Sequence, residues 1–279
     1  MPDLNTQDPH PAYVGIPTFA HAPLALSADE LEQMGADVAI IGAPVDMGVV
    51  GRPGARFGPR AIRQADYLGG PNDRYYHIGL GVHPTQVMKV VDFGDANCPP
   101  SSLELSHEAV RSKVAEALDA GALPFVLGGD HSVTLPSATA VAQHHGFGSV
   151  GIVHFDAHAD TTDSSYGGVL IAHGSPMRRL IESGAVPGVN FVQIGLRGYW
   201  PPEEVFDWMR EQGMRWHQMS EIEERGFDAV LKDAIGEALD GPERIYLSVD
   251  VDVMDPGFAP GTDTPEPGGI TASPSCCEP

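Results

Sequence analysis

Asp156-Ala157-His158-Ala159-Asp160 follows directly on the apolar run Val150-Gly151-Ile152-Val153-His154-Phe155. The run has strand length and β-branched content, so the polar residues fall where a buried parallel strand ends and its loop begins. In open α/β sheets that edge is where ligands bind. Two carboxylates and an imidazole crowded this closely would repel and desolvate one another without a cation, and hard oxygen ligands with imidazole suit Mn²⁺ or Zn²⁺. The stretch therefore constrains the fold, to parallel strands with their carboxyl ends on one edge, and the chemistry, to a metal.

The pattern recurs twice. Ser248-Val249-Asp250-Val251-Asp252 closes the apolar strand Ile245-Tyr246-Leu247, and Gly128-Gly129-Asp130-His131-Ser132 follows Leu123-Pro124-Phe125-Val126-Leu127. Taken singly, an Asp-x-Asp is usually a solvated loop and a Gly-Gly-Asp-His a tight turn with a capping Asp. Together, the three strand ends offer two imidazoles and four carboxylates in candidate ligand positions. That is too many for one Zn²⁺ and about right for two metals sharing bridging carboxylates.

A chain of 279 residues, 42% hydrophobic and 19% charged, can build one α/β domain with a substantial core. No apolar run reaches membrane-spanning length. A net charge of −22 argues against nucleic acid or an anionic membrane as partner and suits a cationic ligand. Cys98, Cys276 and Cys277 form neither a disulfide framework nor a zinc pattern, and no Lys or Arg precedes Arg52, so the expected setting is a reducing cytoplasm without a secretory signal.

Residues 1–35 read as a Pro- and His-rich arm, Met1 to Pro23, of a kind used at subunit contacts, followed by a helix capped by Ser27 with Glu30 completing a capping box. Strands are predicted at 36–41, 87–92, 123–127, 150–155, 191–194, 214–217 and 244–249. Helices are predicted at 106–120, with Ser106 as N-cap, and at 135–145, 202–212 and 227–239. Between the first two strands a long Gly- and Pro-punctuated loop carries Arg52, Arg56 and Arg60, which either orient an acid or lock the loop to carboxylates, with Pro59 at helix position N1. His173, in the loop after the central motif, stands where a proton shuttle would be placed, although a lone loop His is more often simply solvated. The alternation of strands and helices implies a mostly parallel sheet with helices on both faces and no interdomain linker over residues 36–269.

With Gly129-Asp130-His131-Ser132, Asp156-Ala157-His158-Ala159-Asp160 and Ser248-Val249-Asp250-Val251-Asp252-Val253-Met254-Asp255-Pro256 in this order, the chain resembles the ureohydrolase family of arginases and agmatinases. Arg52-Pro53-Gly54-Ala55-Arg56-Phe57-Gly58-Pro59 and His173-Gly174-Ser175-Pro176 look more like the agmatinase branch. The resemblance implies a three-layer α/β/α sandwich and two Mn²⁺, one held by His131, Asp156, Asp160 and Asp250, the other by Asp156, His158, Asp250 and Asp252. It implies hydroxide attack on a guanidinium carbon, oriented by Asp160, and release of urea, with His173 giving a proton to the departing amine. The implied substrate is agmatine, with guanidinobutyrate or another guanidino acid as the alternative. The implied assembly is a homo-oligomer, a trimer or hexamer.

The resemblance ends near Gly269. There the family continues into an eighth, interior strand carrying a glutamate that holds the guanidinium, whereas residues 270–279, Ile270-Thr271-Ala272-Ser273-Pro274-Ser275-Cys276-Cys277-Glu278-Pro279, read as an atypical tail. The expectation is therefore an arginase-like fold with its eighth strand missing and its activity impaired. A truncated non-enzyme that binds metal weakly is the competing reading. A single-zinc deacetylase of related fold is disfavoured, because three ligand-rich strand ends describe a two-metal site.

Overall fold

The computed structural model describes residues 13–65 and 75–272. In chain order they form α1 (Ala28–Met34), β1 (Val38–Ala43), α2 (Gly58–Gln64), α3 (Pro84–Val87), β2 (Val90–Asp95), α4 (Leu103–Asp119), β3 (Leu123–Gly128), α5 (Thr134–His145), β4 (Val150–Phe155), α6 (Pro176–Glu182), β5 (Phe191–Leu196), α7 (Glu203–Glu211), β6 (Arg215–Gln218), α8 (Met219–Arg225), α9 (Phe227–Ala238) and β7 (Arg244–Val249). All strand pairs are parallel. They form two sheets, ordered β2-β1-β3 and β6-β5-β4-β7.

Side-chain alternation builds the layers, because successive residues of a strand point to opposite faces. In β4, Ile152 joins a core with Leu180 of α6 and Met209 of α7, while Val153 and Phe155 join another with Val230 and Ala234 of α9. β5 repeats the division, with Phe191 on the first side and Val192 and Ile194 on the second. The smaller sheet packs Ala39 and Ile41 of β1 with Val110 and Val114 of α4. This is an α/β fold with helices on both faces of the larger sheet, as the resemblance implies. No helix among the described residues is long and apolar enough to cross a membrane.

Local chemistry fixes the helix starts. Ser27 accepts from the Glu30 N–H at 3.2 Å, and the Glu30 carboxylate accepts from the Leu26 N–H at 2.8 Å, so the capping box is shifted back by one residue. The predicted start at Ser106 is corrected: α4 begins one turn earlier, with Ser102 accepting from the Leu105 N–H at 3.2 Å. Ser106 is buried inside the helix and donates to the carbonyls of Ser102 and Pro99 at 2.8 and 3.0 Å. Two serines a turn apart present the same capping pattern, and only packing separates them. Of the arm, residues 1–12 lie outside the described residues. Nearer α1, the chain runs along β2, where the Ala25 N–H donates to Asp92 O at 2.9 Å and the Asp92 N–H to Pro23 O at 2.8 Å.

The long loop after β1 is locked rather than free: Arg56 pairs with the buried carboxylate of Asp46, which also accepts the Gly54 N–H at 2.9 Å. Arg63, on α2, closes on Asp92 at 2.7 Å and Asp95 at 2.5 Å. Beyond β7, Ile270 makes a single parallel bridge to Met254, and no further strand occurs among the described residues; 273–279 lie outside them. β3 and β7 each have one ladder partner there, and they carry the exposed apolar side chains Leu123, Phe125, Leu247 and Val249.

Gly151 in β4 lets α9 approach the sheet: a Cβ there would lie 2.1 Å from the Ala238 carbonyl oxygen. Backbone cannot give way as a side-chain tip can, so Gly151→Ala is expected to destabilise by about 2 kcal/mol or more. Chemical denaturation measures this, and a variant as stable as the parent would contradict the packing described.

Candidate metal centre

The carboxyl ends of β3, β4 and β7 meet at one point because the ladder hydrogen bonds continue past the strands. The Asp156 N–H donates to Ile194 O at 3.0 Å, the Asp250 N–H to Phe155 O at 2.8 Å, and the Arg197 N–H to Ala157 O at 3.1 Å. The β3 end is set by Gly129, whose Cα lies against β1's continuation; a Cβ would fall 1.8 Å from Val45 O. The Asp130 N–H donates to that oxygen at 2.7 Å. Asp130 faces away from the cluster. It caps the short turn that follows, accepting from the Ser132 N–H at 2.9 Å, and it also accepts from the Gly48 N–H at 2.8 Å.

All six residues expected around the metals converge. His131 Nδ1 lies 3.0 Å from Asp156 Oδ2, 3.1 Å from Asp160 Oδ2 and 3.1 Å from Asp250 Oδ2. A six-coordinate cation about 2.1 Å from its ligands holds neighbouring donors about 3.0 Å apart. Each of these three separations is that of neighbouring donors around a hard divalent cation, and the atoms have the donor chemistry to match. His131 Nε2 is engaged by Ser248 Oγ at 2.8 Å, which leaves the Nδ1 lone pair for a cation. Beside it, His158 Nδ1 lies 2.9 Å from Asp252 Oδ2 and 3.6 Å from Asp156 Oδ1. Asp156 thus presents one oxygen to each group. Asp250 Oδ1 accepts the Asp252 N–H at 2.9 Å while Oδ2 faces His131.

Asp160 adopts φ 52°, one of three non-glycine residues in the left-handed region among those described. That region disfavours side chains other than those of Asn and Asp, and such strain persists only where surrounding contacts enforce it. Here the Met177 N–H donates to Asp160 O at 3.1 Å and the carboxylate meets His131.

Burial and like charge oppose the cluster, and the protein groups hold protons to offset them. Burial disfavours a charged His131, but Asp156, Asp160 and Asp250 outweigh it and hold its pKa well above the ordinary value. Against the same burial penalty, Asp156 and Asp252 raise His158 to about 11. Burial and the neighbouring Asp156 charge raise both Asp160 and Asp252, the latter to about 8. Asp156 is held well below the ordinary carboxylate value: burial pushes it up, but the imidazoles of His154, His131 and His158 outweigh that.

Two contributors, His154 and Arg197, could not be picked out from the sequence motifs. His154, fully buried within β4, puts Nε2 2.8 Å from Asp156 Oδ2, and its Nδ1 accepts from the Gln193 amide at 3.0 Å. With both nitrogens engaged, His154 orients Asp156 instead of offering a lone pair. Arg197 threads its guanidinium among carbonyls, donating to Asp252 O at 2.7 Å and Glu266 O at 2.6 Å. This fastens the Glu266 segment to the turn carrying Asp252, and the Glu266 carboxylate comes 4.0 Å from His158 Nε2. His173 does not join the cluster. Its Nε2 lies 3.6 Å from Asp263 Oδ2.

Protons and cations compete for these atoms. Mn²⁺ binding to chelator-stripped protein should release protons, and affinity should rise with pH through about 8, where Asp252 ionises, and on towards about 11, where His158 gives up its proton. Both groups bind protons more tightly when folded, so the stripped fold should lose the Asp252 contribution between pH 3.8 and about 8 and the His158 contribution between 6.5 and about 11. Calorimetry in buffers of different ionisation enthalpy, with melts across pH, tests both. Proton-free, pH-independent binding would refute the competition.

Residues 36–275 match the arginase family. The chain is 39% identical to proclavaminate amidinohydrolase of Streptomyces clavuligerus over 93% of this chain and 79% of that protein. It is 40% identical to guanidinopropionase of Pseudomonas aeruginosa, over 94% and 78%, and 38% identical to mitochondrial agmatinase of Gallus gallus, over 92% and 72%. The solved proclavaminate amidinohydrolase superposes with a TM-score of 0.82 at 37% identity, covering 94% of this chain and 82% of that one. The Trypanosoma cruzi formiminoglutamase structure with two Mn²⁺ gives 0.75 at 31%, covering 88% and 82%. Fold, motifs and relatives agree that the chain belongs to the arginase family, whose chemistry depends on a metal pair, and that it is an amidinohydrolase acting on small guanidino compounds.

Proposed function

We propose that the protein is a binuclear manganese amidinohydrolase that cleaves agmatine to putrescine and urea. The observation carrying this reading is the meeting of His131 Nδ1 with Asp156, Asp160 and Asp250 at 3.0–3.1 Å, beside His158 and Asp252. His131, Asp156, Asp160 and Asp250 would hold one cation, and Asp156, His158, Asp250 and Asp252 the other, with Asp156 and Asp250 shared. Two such cations, when bound, make hydroxide available near neutral pH and stabilise the charge that develops during attack on the guanidinium carbon.

The chain's own groups supply orientation and protons. Asp160, fixed by its unusual backbone conformation, accepts a hydrogen bond from the nucleophile and aims its lone pair. His154 and Gln193 keep Asp156 in place while its charge is shared. His173 donates a proton to the departing amine, which makes that nitrogen a better leaving group. The carboxylates of Asp263, near His173, and Glu266, near His158, favour a substrate cationic at both ends over one ending in a carboxylate. The similarity to guanidinopropionase and to a guanidinobutyrase, at 40% and 38% identity, supports the ω-guanidino acids as the second reading.

Urea release from agmatine, 4-guanidinobutyrate and 3-guanidinopropionate, compared as kcat/KM, decides between the two. Agmatine is expected to lead by at least about tenfold, an advantage of about 1.4 kcal/mol at the transition state. A lead for either acid would replace it as the substrate. Asp156→Ala should lose both metals on dialysis, since both sites share that carboxylate; two retained Mn²⁺ per chain would break the ligand assignment. His173→Asn should keep both metals and lower kcat by about 10²-fold or more. Loss of metal in that variant would make His173 a ligand instead.

A further inference from the structure

Three segments distant in sequence meet at His173. Its N–H donates to Gly48 O at 3.0 Å, which fastens the His173 loop to the long loop after β1. Asp263 holds that same loop: its carboxylate accepts the Val50 N–H at 3.3 Å with one oxygen and the Arg52 N–H with the other. The oxygen shared with Val50 lies 3.6 Å from His173 Nε2, and the two side chains are only 10% and 15% exposed. Gly51 allows this approach, since a Cβ there would lie 2.7 Å from the other Asp263 oxygen.

We propose that Asp263 is a positioning residue for His173, its carboxylate fixing the orientation of the imidazole ring. This rests on the reading of His173 as proton donor. The separation is just beyond a hydrogen bond, and such contacts tighten when the catalytic complex forms. Shielding from solvent spares the pair most of the screening that weakens surface ion pairs.

The other charges near His173 are already committed. Asp130, behind Gly48, accepts the Gly48 and Ser132 N–H groups at 2.8 and 2.9 Å. Asp160, below Gly174, faces His131 at 3.1 Å. Arg52 is the cation on the facing loop, and it is exposed. Asp263 is the carboxylate that meets the ring itself, and its two backbone donors prevent it from swinging away.

The test compares kcat and KM, Mn content and melting for the parent, Asp263→Asn, Asp263→Glu, His173→Asn and the Asp263→Asn/His173→Asn double variant, all Mn²⁺-loaded. Asp263→Asn should keep its metals and lose about tenfold in kcat near neutral pH. Asp263→Glu should return kcat towards the parent, and Asp263→Asn should cost nothing further once His173 is gone. An unchanged kcat in Asp263→Asn, or a full additional loss in the double variant, would overturn the proposal while leaving His173 as donor. If His173→Asn is itself as active as the parent, the donor reading fails and this proposal falls with it.

Discussion

The structure depends on the cost of bringing four carboxylates and two imidazoles into one buried point. Asp156 and Asp252 are almost wholly shielded from water, and Asp160 and His131 nearly so. Unbalanced, that crowding would cost several kcal/mol per charge, comparable with the whole stability of a domain. Each group is therefore held by something that cannot retreat: Asp156 by His154 and the His158 N–H at 2.6 Å, Asp252 by the Ala157 N–H at 2.9 Å, and His131 by Ser248. A cation pair bound there would supply the missing positive charge, and the folded chain already bears the repulsion.

That requirement explains where the strands end. His131 comes from the end of β3 in one sheet, while Asp156, Asp160, Asp250 and Asp252 come from β4 and β7 in the other. The site lies at the seam between the sheets. The His131–Ser248 contact and its extension to Thr134 at 3.2 Å cross that seam directly. Parallel strands suit this arrangement because all their carboxyl ends face one edge, and six carboxylate and imidazole groups can be gathered from three short turns.

Much of this was legible in the sequence, for a physical reason. A strand ending in Asp or His cannot hide those groups in an apolar layer, so their spacing reveals an edge, and Val150–Phe155 and Arg244–Val249 were read to the residue. β1 and β2 each lie two or three residues later than read, because their ends are set by pairing with each other and with β3, which no single run displays. His154 looked like one more residue of a buried strand. Its role depends on Gln193, which faces it only because β4 and β5 pair at the register His154 to Gln193. Asp263 likewise gained meaning only when the loop carrying Val50 and Arg52 was seen to close on it.

Arg197 shows how the fold limits its reliance on metal. A guanidinium buried beside a carboxylate cluster would usually pair with one of them and so weaken it as a ligand. Arg197 instead donates to carbonyl oxygens, among them Gly195 at 3.2 Å, Val253 at 3.3 Å and Pro267 at 3.0 Å. Burial lowers its pKa, while Asp252, Glu266 and Asp156 act in the opposite direction through space. The positive charge is thus spent on backbone dipoles and felt by the cluster only at a distance, which reduces its repulsion without occupying a ligand oxygen. A lysine could not do this, because its three donors on one nitrogen cannot span carbonyls from β5, the turn after β7 and the 266–267 segment at once. The planar fork of Arg197 therefore ties the turn carrying Asp252 to the segment that delivers Asp263 and Glu266, and it leaves the cluster's carboxylate oxygens unpaired with a guanidinium.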